Sequence, residues 1–410
     1  MSEYTNDHTA RRSFLKKALL SSGAISLVGS HSMAAPVLPN AKEAIKVDRV
    51  EFIKLEFPKE TPRVWNAIRS TGGYKPTVTV MNLYTDAGIT GTIIPKGPKD
   101  TIRSFIKKIK GQNLLHVEHI WDYMYHHERK PVAKGDEIKA IGSVDMAVWD
   151  IVGKALELPV HRILGTYQEQ LPVYAAGGYY AEGKGVPELV TEMEGYVAEG
   201  FKAVKIKIGA LSVRDDAERI RAVRKALGWD IKIMVDANNA YRAYEAIQLG
   251  RLVEDQDLFW FEEPVAPDDF QGCAEVRDAL DIPIVAGENE YTRWGARDLI
   301  EHRSADILNL DTIKAGGISE YQKIAALASA WHVPVVPHGY AHMNAHIVAS
   351  LANALIMETY PGMARDFNPA LPPFPVKDGM VQAPSSPGLG FDIDPDMIKK
   401  YKVDVSQNTL

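Results

Sequence analysis

Apolar and polar residues alternate in regular blocks along residues 171–358. Short apolar runs, typical of buried strands, recur about every 25 residues, and most of them precede sequence with helical periodicity. The runs that predict strands are 171–176, 203–208, 231–236, 258–262, 283–288, 307–311, 333–338 and 355–358. A repeat of one strand, one loop and one helix is typical of βα units, so this part of the chain is predicted to be a TIM-like barrel.

The pattern on either side of this repeat is different. Strands are predicted at 46–57, 77–85 and 90–94, a loop at 59–76, and helices at 99–110, 116–128 and 136–156. A small α+β domain is therefore predicted before the barrel. The chain after the eighth strand is rich in proline and glycine, and we expect it to cross back over the first domain. The predicted divisions are a first domain at 46–165, a barrel at 166–363 and a C-terminal tail at 364–410.

The first 35 residues are predicted to be a targeting segment. Arg11 and Arg12 precede Phe14-Leu15-Lys16, a short apolar region follows at 18–28, and small residues precede Ala35. This arrangement resembles a Tat (twin-arginine) signal peptide, which implies export and a periplasmic enzyme. A disordered basic tail is the alternative.

Composition excludes several functional classes. The chain has 410 residues, of which 46% are hydrophobic and 24% charged, and its net charge is −6. This charge gives no electrostatic argument for nucleic acid or an anionic membrane as a partner. Cys273 is the single cysteine, so an internal disulfide and a cysteine metal cage are excluded.

Three carboxylates follow consecutive predicted strands. Asp236, Glu262 and Glu288 end strands three, four and five, with a spacing of 26 residues in both intervals. Strand ends of a barrel meet at one mouth, where three acids would repel one another unless a cation lay among them. Oxygen-only ligands suit a hard ion, so the sequence predicts one Mg²⁺. For a single acid, a helix cap or an ion pair would be an equally good interpretation.

Two lysines lie on the second barrel strand. Lys205 and Lys207 are two residues apart and therefore face the same side, which is expected to be the barrel interior. Two buried ammonium groups lower each other's pKa, so one lysine is expected to accept a proton near neutral pH. Pairing of both lysines with the acids is the structural alternative.

A histidine and two further acids complete the predicted mouth. Asp311 ends strand six, His338 ends strand seven and Glu358 ends strand eight. A carboxylate beside a histidine fixes its tautomer and raises its basicity. Glu358 could donate to a substrate oxygen if protonated, or stay ionised against a lysine. A metal with a base on each flank can remove the proton α to a carboxylate through an enediolate.

Taken in order, these motifs resemble the enolase superfamily, mandelate racemase subgroup. The resemblance covers about 46 to 400 and includes Ala140 to Gly165, Lys-x-Lys, Asp-x-Asn, Glu-Glu-Pro, Gly-Glu-Asn, the Asp/His pair and the last Glu. It implies a modified (β/α)7β barrel with an α+β capping domain that the tail completes. One departure is Asn309-Leu310-Asp311, where the family often has Gln-Pro-Asp.

The resemblance also implies roles. Asp236, Glu262 and Glu288 would bind Mg²⁺, Lys207 would be one base with Lys205 beside it, and His338 with Asp311 would be the opposite base or acid. Glu358 would be the electrophilic partner of the substrate carboxylate, which Lys205 would help to hold while lowering the pKa of its neighbour. Asn238 would contact the substrate. The loop 59–76 would be a lid that sets specificity, and Arg69 and Tyr74 are its predicted substrate-binding residues. Homo-oligomers, dimers or octamers, are expected.

The reaction after proton abstraction stays open at this point. Loss of a β-hydroxyl would make a sugar-acid dehydratase, reprotonation a racemase or epimerase, and loss or addition of an internal oxygen a cycloisomerase. A periplasmic sugar-acid binding protein is the alternative from another class. Polar side chains favour a polyhydroxy acid as substrate, and thus dehydration: Trp65, Arg69, Tyr74, Lys75, Tyr179, Tyr180 and Arg293.

Overall fold

The computed structural model describes residues 44–126, 134–362, 369–371, 373–390 and 393–409. All of them belong to one compact unit, Leu38–Leu410. The predicted signal peptide at 1–35 lies outside the described residues, so it remains a prediction. In the described part of the chain, no helix has the length and apolar character needed to cross a membrane.

A four-stranded antiparallel sheet forms the first part of the fold. Its strands are β1 (Val47–Glu56), β4 (Thr77–Thr85), β5 (Thr90–Ile93) and β14 (Lys402–Thr409). The order is β14-β1-β4-β5, so the last strand of the chain lies beside the first. The loop between β1 and β4 contains a small hairpin, β2 (Val64–Trp65) and β3 (Ser70–Thr71), where the sequence predicted only a loop.

Helices cover this sheet. They are α1 (Lys99–Lys108), α2 (Val117–His126) and α3 (Asp136–Ala155). Helix α3 is buried over nearly its whole length because its small residues allow close backbone approach. A Cβ atom at Gly142 would come within 2.2 Å of the Ile313 carbonyl oxygen. The small residues of this helix therefore serve packing, and its C-terminal end carries the ion pair Lys154–Asp150.

The second part of the fold is the barrel. Its strands are β6 (Gln170–Ala176), β7 (Ala203–Lys207), β8 (Lys232–Asp236), β9 (Leu258–Glu262), β10 (Ile284–Ala286), β11 (Ile307–Leu308) and β12 (Met357–Thr359), and β13 (Met380–Gln382) pairs with β6 from outside this path. The helices are α4 (Val160–Leu164), α5 (Val186–Ala198), α6 (Val213–Leu227), α7 (Ala243–Val253), α8 (Phe270–Ala279), α9 (Thr292–Glu301), α10 (Thr312–Ala315), α11 (Ile318–Ala330), α12 (Ala341–Ser350) and α13 (Pro395–Tyr401). The predicted TIM-like barrel with a separate N-terminal cap is confirmed.

The seventh predicted strand differs from the expectation. Residues 333–338 make isolated bridges to both neighbours, Leu308 with Val335, Val335 with Ala354, and Asp311 with His338. These bridges connect the two ends of the parallel sheet, β11 and β12. The segment is therefore in the position of a strand without forming a continuous ladder.

Each barrel strand buries two faces. Val204, Ile206 and Ile208 belong to the large apolar cluster shared with the helices. Residues on the opposite face of the strands, such as Tyr174 and Trp260, form a smaller apolar cluster in the barrel interior. Alternation along β7 then turns Lys205 and Lys207 away from the helices, as the sequence predicted.

Candidate active site

Polar side chains gather where the parallel strands end. Strand β7 carries Lys205 and Lys207, β8 ends at Asp236 and β9 ends at Glu262. Glu288 lies two residues beyond β10, and Asp311 lies three beyond β11. The bridged segment ends at His338, and Glu358 lies within β12. The structure therefore brings all eight of these predicted residues to one end of the barrel.

Lys205 is the centre of a buried ion-pair network. Its Nζ lies 2.8 Å from Glu262 Oε1, 2.7 Å from Glu358 Oε1 and 3.7 Å from Asp236 Oδ2. Burial alone would lower the pKa of Lys205, but the Glu262 and Glu358 carboxylates outweigh burial and hold that pKa well above its ordinary value. Lys205 is therefore a fixed positive charge rather than a base.

Lys207 is paired in a similar way. Its Nζ contacts Asp236 Oδ2 and lies 5.1 Å from the centre of the Tyr179 ring. Burial and the Lys205 charge lower the pKa of Lys207, but Asp236 raises it more, so the net direction is upward. The expectation of a lowered lysine pKa is wrong for this arrangement, because the carboxylates beside each lysine outweigh burial and, at Lys207, also the Lys205 charge. The pairing alternative describes this structure.

The carboxylates of Asp236 and Glu262 lie in unequal surroundings. Asp236 Oδ1 accepts from the backbone N of Asn238 at 2.8 Å, and its pKa is lowered because Lys207 and Lys205 outweigh burial. Burial raises the pKa of Glu262 to about 7; Lys205 opposes this, and the Asp236 carboxylate adds to it. Glu262 also accepts from Trp260 Nε1 at 3.0 Å. Negative charge at Glu262 is thus only partly compensated.

His338 lies between two acids. Its Nδ1 is 3.2 Å from Asp311 Oδ2, and its Nε2 is 3.0 Å from Glu288 Oε2. Burial lowers the pKa of His338, but Glu288, Glu358 and Asp311 raise it above the ordinary value. The Nδ1–H tautomer donates to Asp311, which leaves Nε2 as the atom available for proton exchange. The predicted Asp311–His338 pair is present in the structure.

Glu358 stays ionised in this network. Its Oε2 accepts from the backbone N of Gly339 at 2.8 Å, and Oε1 faces Lys205. Burial raises the pKa of Glu358, but Lys205 and His338 together lower it to about 2. Of the two possibilities that the sequence left open, the structure favours ionisation against a lysine.

The loop between β1 and β4 reaches the barrel through a residue that the sequence did not single out. Asn66 Nδ2 donates to Asn238 Oδ1 at 2.8 Å, and Trp65 exchanges two backbone hydrogen bonds with Tyr180. The side chains of Arg69 and Tyr74 are exposed, with the Tyr74 hydroxyl 3.0 Å from Thr71 Oγ1. Their role in substrate binding remains a prediction.

Three further polar residues were missed. Lys96, on the loop after β5, lies 2.5 Å from Asp311 Oδ2 through its Nζ. Asn309 Nδ2 donates to Glu262 Oε1 at 2.8 Å, and the Tyr360 hydroxyl is 3.4 Å from His338 Nε2. Asn309 had a signal in the sequence, because it is where the chain departs from the family pattern. Lys96 had none, since it comes from a loop 215 residues away from its partner.

The donors fit a divalent cation, although they are not arranged as a finished site. Asp236, Glu262 and Glu288 follow three adjacent strands and offer only oxygen, which suits Mg²⁺. Within the described ranges, no group of three His, Cys, Asp or Glu side chains is already placed to hold a metal ion. The three carboxylates instead form ion pairs with Lys205, Lys207 and His338.

Charge balance in the mouth also favours a cation. The charged side chains in the ion-pair network are Asp236, Glu262, Glu288, Asp311 and Glu358, with Lys96, Lys205 and Lys207. When His338 is neutral, two negative charges are uncompensated among these groups. A divalent cation would balance them. At Glu262, burial is the main cause of the raised pKa, and the neighbouring Asp236, Glu358 and Glu288 carboxylates add to it.

Comparison with known proteins identifies the family. Residues 58–165 match the model "Mandelate racemase / muconate lactonizing enzyme, N-terminal domain", and residues 188–397 match "Enolase C-terminal domain-like". The chain belongs to the mandelate racemase / muconate lactonizing enzyme family of the enolase superfamily. The resemblance seen in the sequence motifs is confirmed.

Individual members of this family show its range. Arabinonate dehydratase of Saccharolobus solfataricus is 34% identical over 351 residues, which covers 82% of this chain and 93% of that protein. D-galactarolactone cycloisomerase of Agrobacterium fabrum is 34% identical over 310 residues, covering 72% and 82%. A mandelate racemase/muconate lactonizing enzyme from a marine actinobacterium, solved in complex with magnesium, superposes with a TM-score of 0.75 at 30% identity, covering 88% and 100%.

Proposed function

We propose that this protein removes the proton α to the carboxylate of an acid sugar and then expels the β-hydroxyl, giving a 2-keto-3-deoxy acid. The observation that carries the proposal is the position of Lys207 and His338 in the ring of strands. Around one side of the ring, the strand ends between them hold Asp236, Glu262 and Glu288. A carboxylate held among these acids would have one proton-transfer group on each flank.

The acidic residues and Lys205 have different proposed roles, which follow from their charges. Asp236, Glu262 and Glu288 would hold Mg²⁺, which when bound makes the α-proton more acidic by stabilising the negative charge that develops on the substrate carboxylate. Lys205 supplies a fixed positive charge next to that position. Glu358, ionised, holds Lys205 and the backbone at Gly339 in place.

Lys207 must be neutral to act as a base. Its raised pKa comes from contact with Asp236, so that contact has to break before Lys207 can accept a proton. Once it breaks, burial and the neighbouring Lys205 charge both lower the pKa of Lys207. His338, with Nε2 facing the mouth and a raised pKa, is suited to protonate the departing β-hydroxyl.

The comparisons support dehydration first and cycloisomerisation second. Arabinonate dehydratase matches over nearly its full length, and its name states loss of water from an aldonate. The cycloisomerase has the same identity over a shorter range, which supports intramolecular attack or loss of a ring oxygen as the second candidate. Racemisation or epimerisation needs only reprotonation from the opposite face, which His338 could also perform.

Proton NMR in D₂O with Mg²⁺ tests the proposal directly. The purified protein is offered a panel of pentonic, hexonic and hexaric acids, and a 2-keto-3-deoxy product is expected from at least one. Deuterium at the α-carbon with an intact skeleton would replace dehydration by racemisation or epimerisation. Lactones and anhydro sugar acids are offered beside this panel, and conversion of one of them without loss of water would select cycloisomerisation.

A sugar-acid binding protein without catalysis remains the alternative from another class. It is tested with His338→Asn and Lys207→Met, using calorimetry of acid-sugar binding beside turnover. The proposal expects ligand binding to persist while turnover is lost. A wild-type protein that binds an acid sugar and shows neither turnover nor α-proton exchange would select the binding protein.

Location and assembly are proposed from the sequence. We propose that the chain is exported by the Tat pathway, that residues 1–35 are removed, and that the mature protein works in the periplasm as a homo-oligomer. Mass spectrometry of the periplasmic protein should show an N-terminus near Ala35, and an intact Met1 there would refute export with cleavage. Light scattering after size exclusion should give a dimer or an octamer, and a monomer would refute assembly.

A further inference from the structure

A lysine from the cap reaches the Asp311–His338 pair. Lys96 belongs to the loop between β5 and α1, and its Nζ lies 2.5 Å from Asp311 Oδ2. The Asp311 side chain is fully buried, whereas that of Lys96 is 26% exposed. An ammonium group held against a buried carboxylate interacts more strongly than a surface ion pair, because little water screens it.

Both carboxylate oxygens of Asp311 already accept hydrogen bonds from neighbouring groups. Its Oδ1 accepts from the backbone N of Ile313 and of Lys314, at 3.1 and 3.0 Å, and so caps helix α10. Its Oδ2 is shared by Lys96 Nζ at 2.5 Å and His338 Nδ1 at 3.2 Å. The carboxylate therefore cannot turn toward His338 alone, and His338 receives the longer of two bonds to one oxygen.

Lys96 is itself held in place. Its backbone N donates to Ser143 Oγ at 2.9 Å, and the Ser143 hydroxyl donates to the Lys96 carbonyl oxygen at 2.9 Å. Ser143 is fully buried in α3. The Lys96 ammonium also lies 4.4 Å from the centre of the Tyr340 ring, two residues after His338. A lysine fixed at its backbone and at its tip is part of a built arrangement.

We propose that Lys96 is a positioning residue for His338. By occupying Asp311 Oδ2 it fixes the carboxylate and lengthens the Asp311–His338 hydrogen bond, and both effects set the orientation of the imidazole. The cap thereby reaches one of the two proton-transfer groups through a single carboxylate. This inference rests on the proposed function only in that His338 is taken as the group that exchanges a proton with the substrate.

The test measures the chemical shift of the His338 Nδ1–H proton before any substrate is added. Histidine-selective ¹⁵N labelling and proton NMR locate the Nδ1–H signal of His338, which is assigned by its loss in His338→Asn. In Lys96→Met, Asp311 Oδ2 serves one donor, so the bond shortens and the Nδ1–H signal moves downfield. An unchanged or upfield signal overturns the proposal, whatever happens to activity.

Turnover supplies the second readout. Lys96→Met is expected to lower kcat about 10- to 100-fold, the usual effect of losing a partner behind a catalytic group, with a smaller change in KM. Lys96→Arg, which keeps a cation at Asp311, is expected to restore part of kcat. A loss in Lys96→Arg as large as in Lys96→Met would overturn the role of the charge.

A matched control separates positioning from attachment of the cap. Lys323 of α11 lies 2.6 Å from Glu118 of α2 and so joins barrel to cap without touching Asp311. Lys323→Met should leave both the Nδ1–H signal and kcat unchanged; a shift equal to that of Lys96→Met would overturn the proposal. If neither Lys96→Met nor Lys96→Arg folded, Lys96 would be a folding residue and the proposal would also fail. If the NMR result held and no acid sugar reacted, the proposed function alone would fall.

Discussion

The hydrogen bond between Asn66 and Asn238 is expected to hold the hairpin of β2 and β3 against the barrel. Asn66 Oδ1 also accepts from the backbone N of Arg69 at 2.8 Å, within the hairpin turn. Asn66→Asp keeps that acceptor and removes only the donor to Asn238 Oδ1, which is 2.8 Å away. The substitution therefore weakens attachment to the barrel without dismantling the turn.

The size of the effect follows from one hydrogen bond. A neutral hydrogen bond contributes about 0.5–1.5 kcal/mol net, which corresponds to a roughly 2- to 13-fold increase in the population of the detached hairpin. The new carboxylate also faces Asn238, whose neighbour in the network is Asp236, so charge repulsion acts in the same direction. The two backbone bonds between Trp65 and Tyr180 remain and oppose detachment.

Limited trypsin digestion measures this population. Arg63 and Arg69 are exposed residues of the loop, and cleavage follows the open population when opening is fast relative to cleavage. We expect Asn66→Asp to be cut in this loop at least twofold faster, with cleavage elsewhere unchanged. Ser70→Ala, which removes the bond from Arg63 Nε within the loop, is the matched control. Equal rates for wild type and Asn66→Asp, or the same acceleration in Ser70→Ala, would refute the reasoning.

Three further predictions concern proton transfer and pH. Lys207→Met should slow α-proton exchange by about two to four orders of magnitude in D₂O, with the thermal midpoint recorded beside it, and retained exchange would exclude Lys207 as the base. Burial lowers the pKa of His346 to about 4. Its stabilisation is therefore complete above pH 6.5 and is lost as pH falls through 4, by roughly 3 kcal/mol in urea titrations, and His346→Gln should remove that slope. Burial raises the pKa of Asp145 to about 7. The pH dependence at Asp145 is therefore the reverse of that at His346: the stability that is present below pH 3.8 is lost as pH rises through 7, by roughly 4 kcal/mol. Asp145→Asn should abolish this loss.

Most of the fold could be predicted because the spacing of apolar residues along the chain follows the strand–helix repeat of the barrel. Strand β9 has the predicted limits, Leu258–Glu262, and helix α3 differs by one residue at its C-terminal end. Residues 333–338 were predicted as a strand on the same grounds, but they contribute only bridges. Periodicity reports burial, which this segment shares with strands, and does not report a hydrogen-bonded ladder.

The positions of site residues were predictable, but their protonation was not. Strand ends converge in any barrel, so Asp236, Glu262 and His338 could be placed together from their spacing. Whether Lys205 met a second lysine or a carboxylate depended on which rotamers the packed site allows. Contacts of 2.8 and 2.7 Å to Glu262 and Glu358 decide the pKa of Lys205, and no sequence pattern encodes them.

The cap therefore connects by hydrogen bonds and an ion pair to proton-transfer groups on both sides of the mouth. On one side Asn66 reaches Asp236, which holds Lys207, through Asn238; on the other Lys96 reaches His338 through Asp311. Each proton-transfer group is thus held by a buried carboxylate that the cap contacts, directly at Asp311 and through Asn238 at Asp236. A cap that only selected substrates could be exchanged without changing the barrel. Here a change in the cap loops also displaces partners of the two carboxylates, so substrate range and alignment for proton transfer are expected to change together.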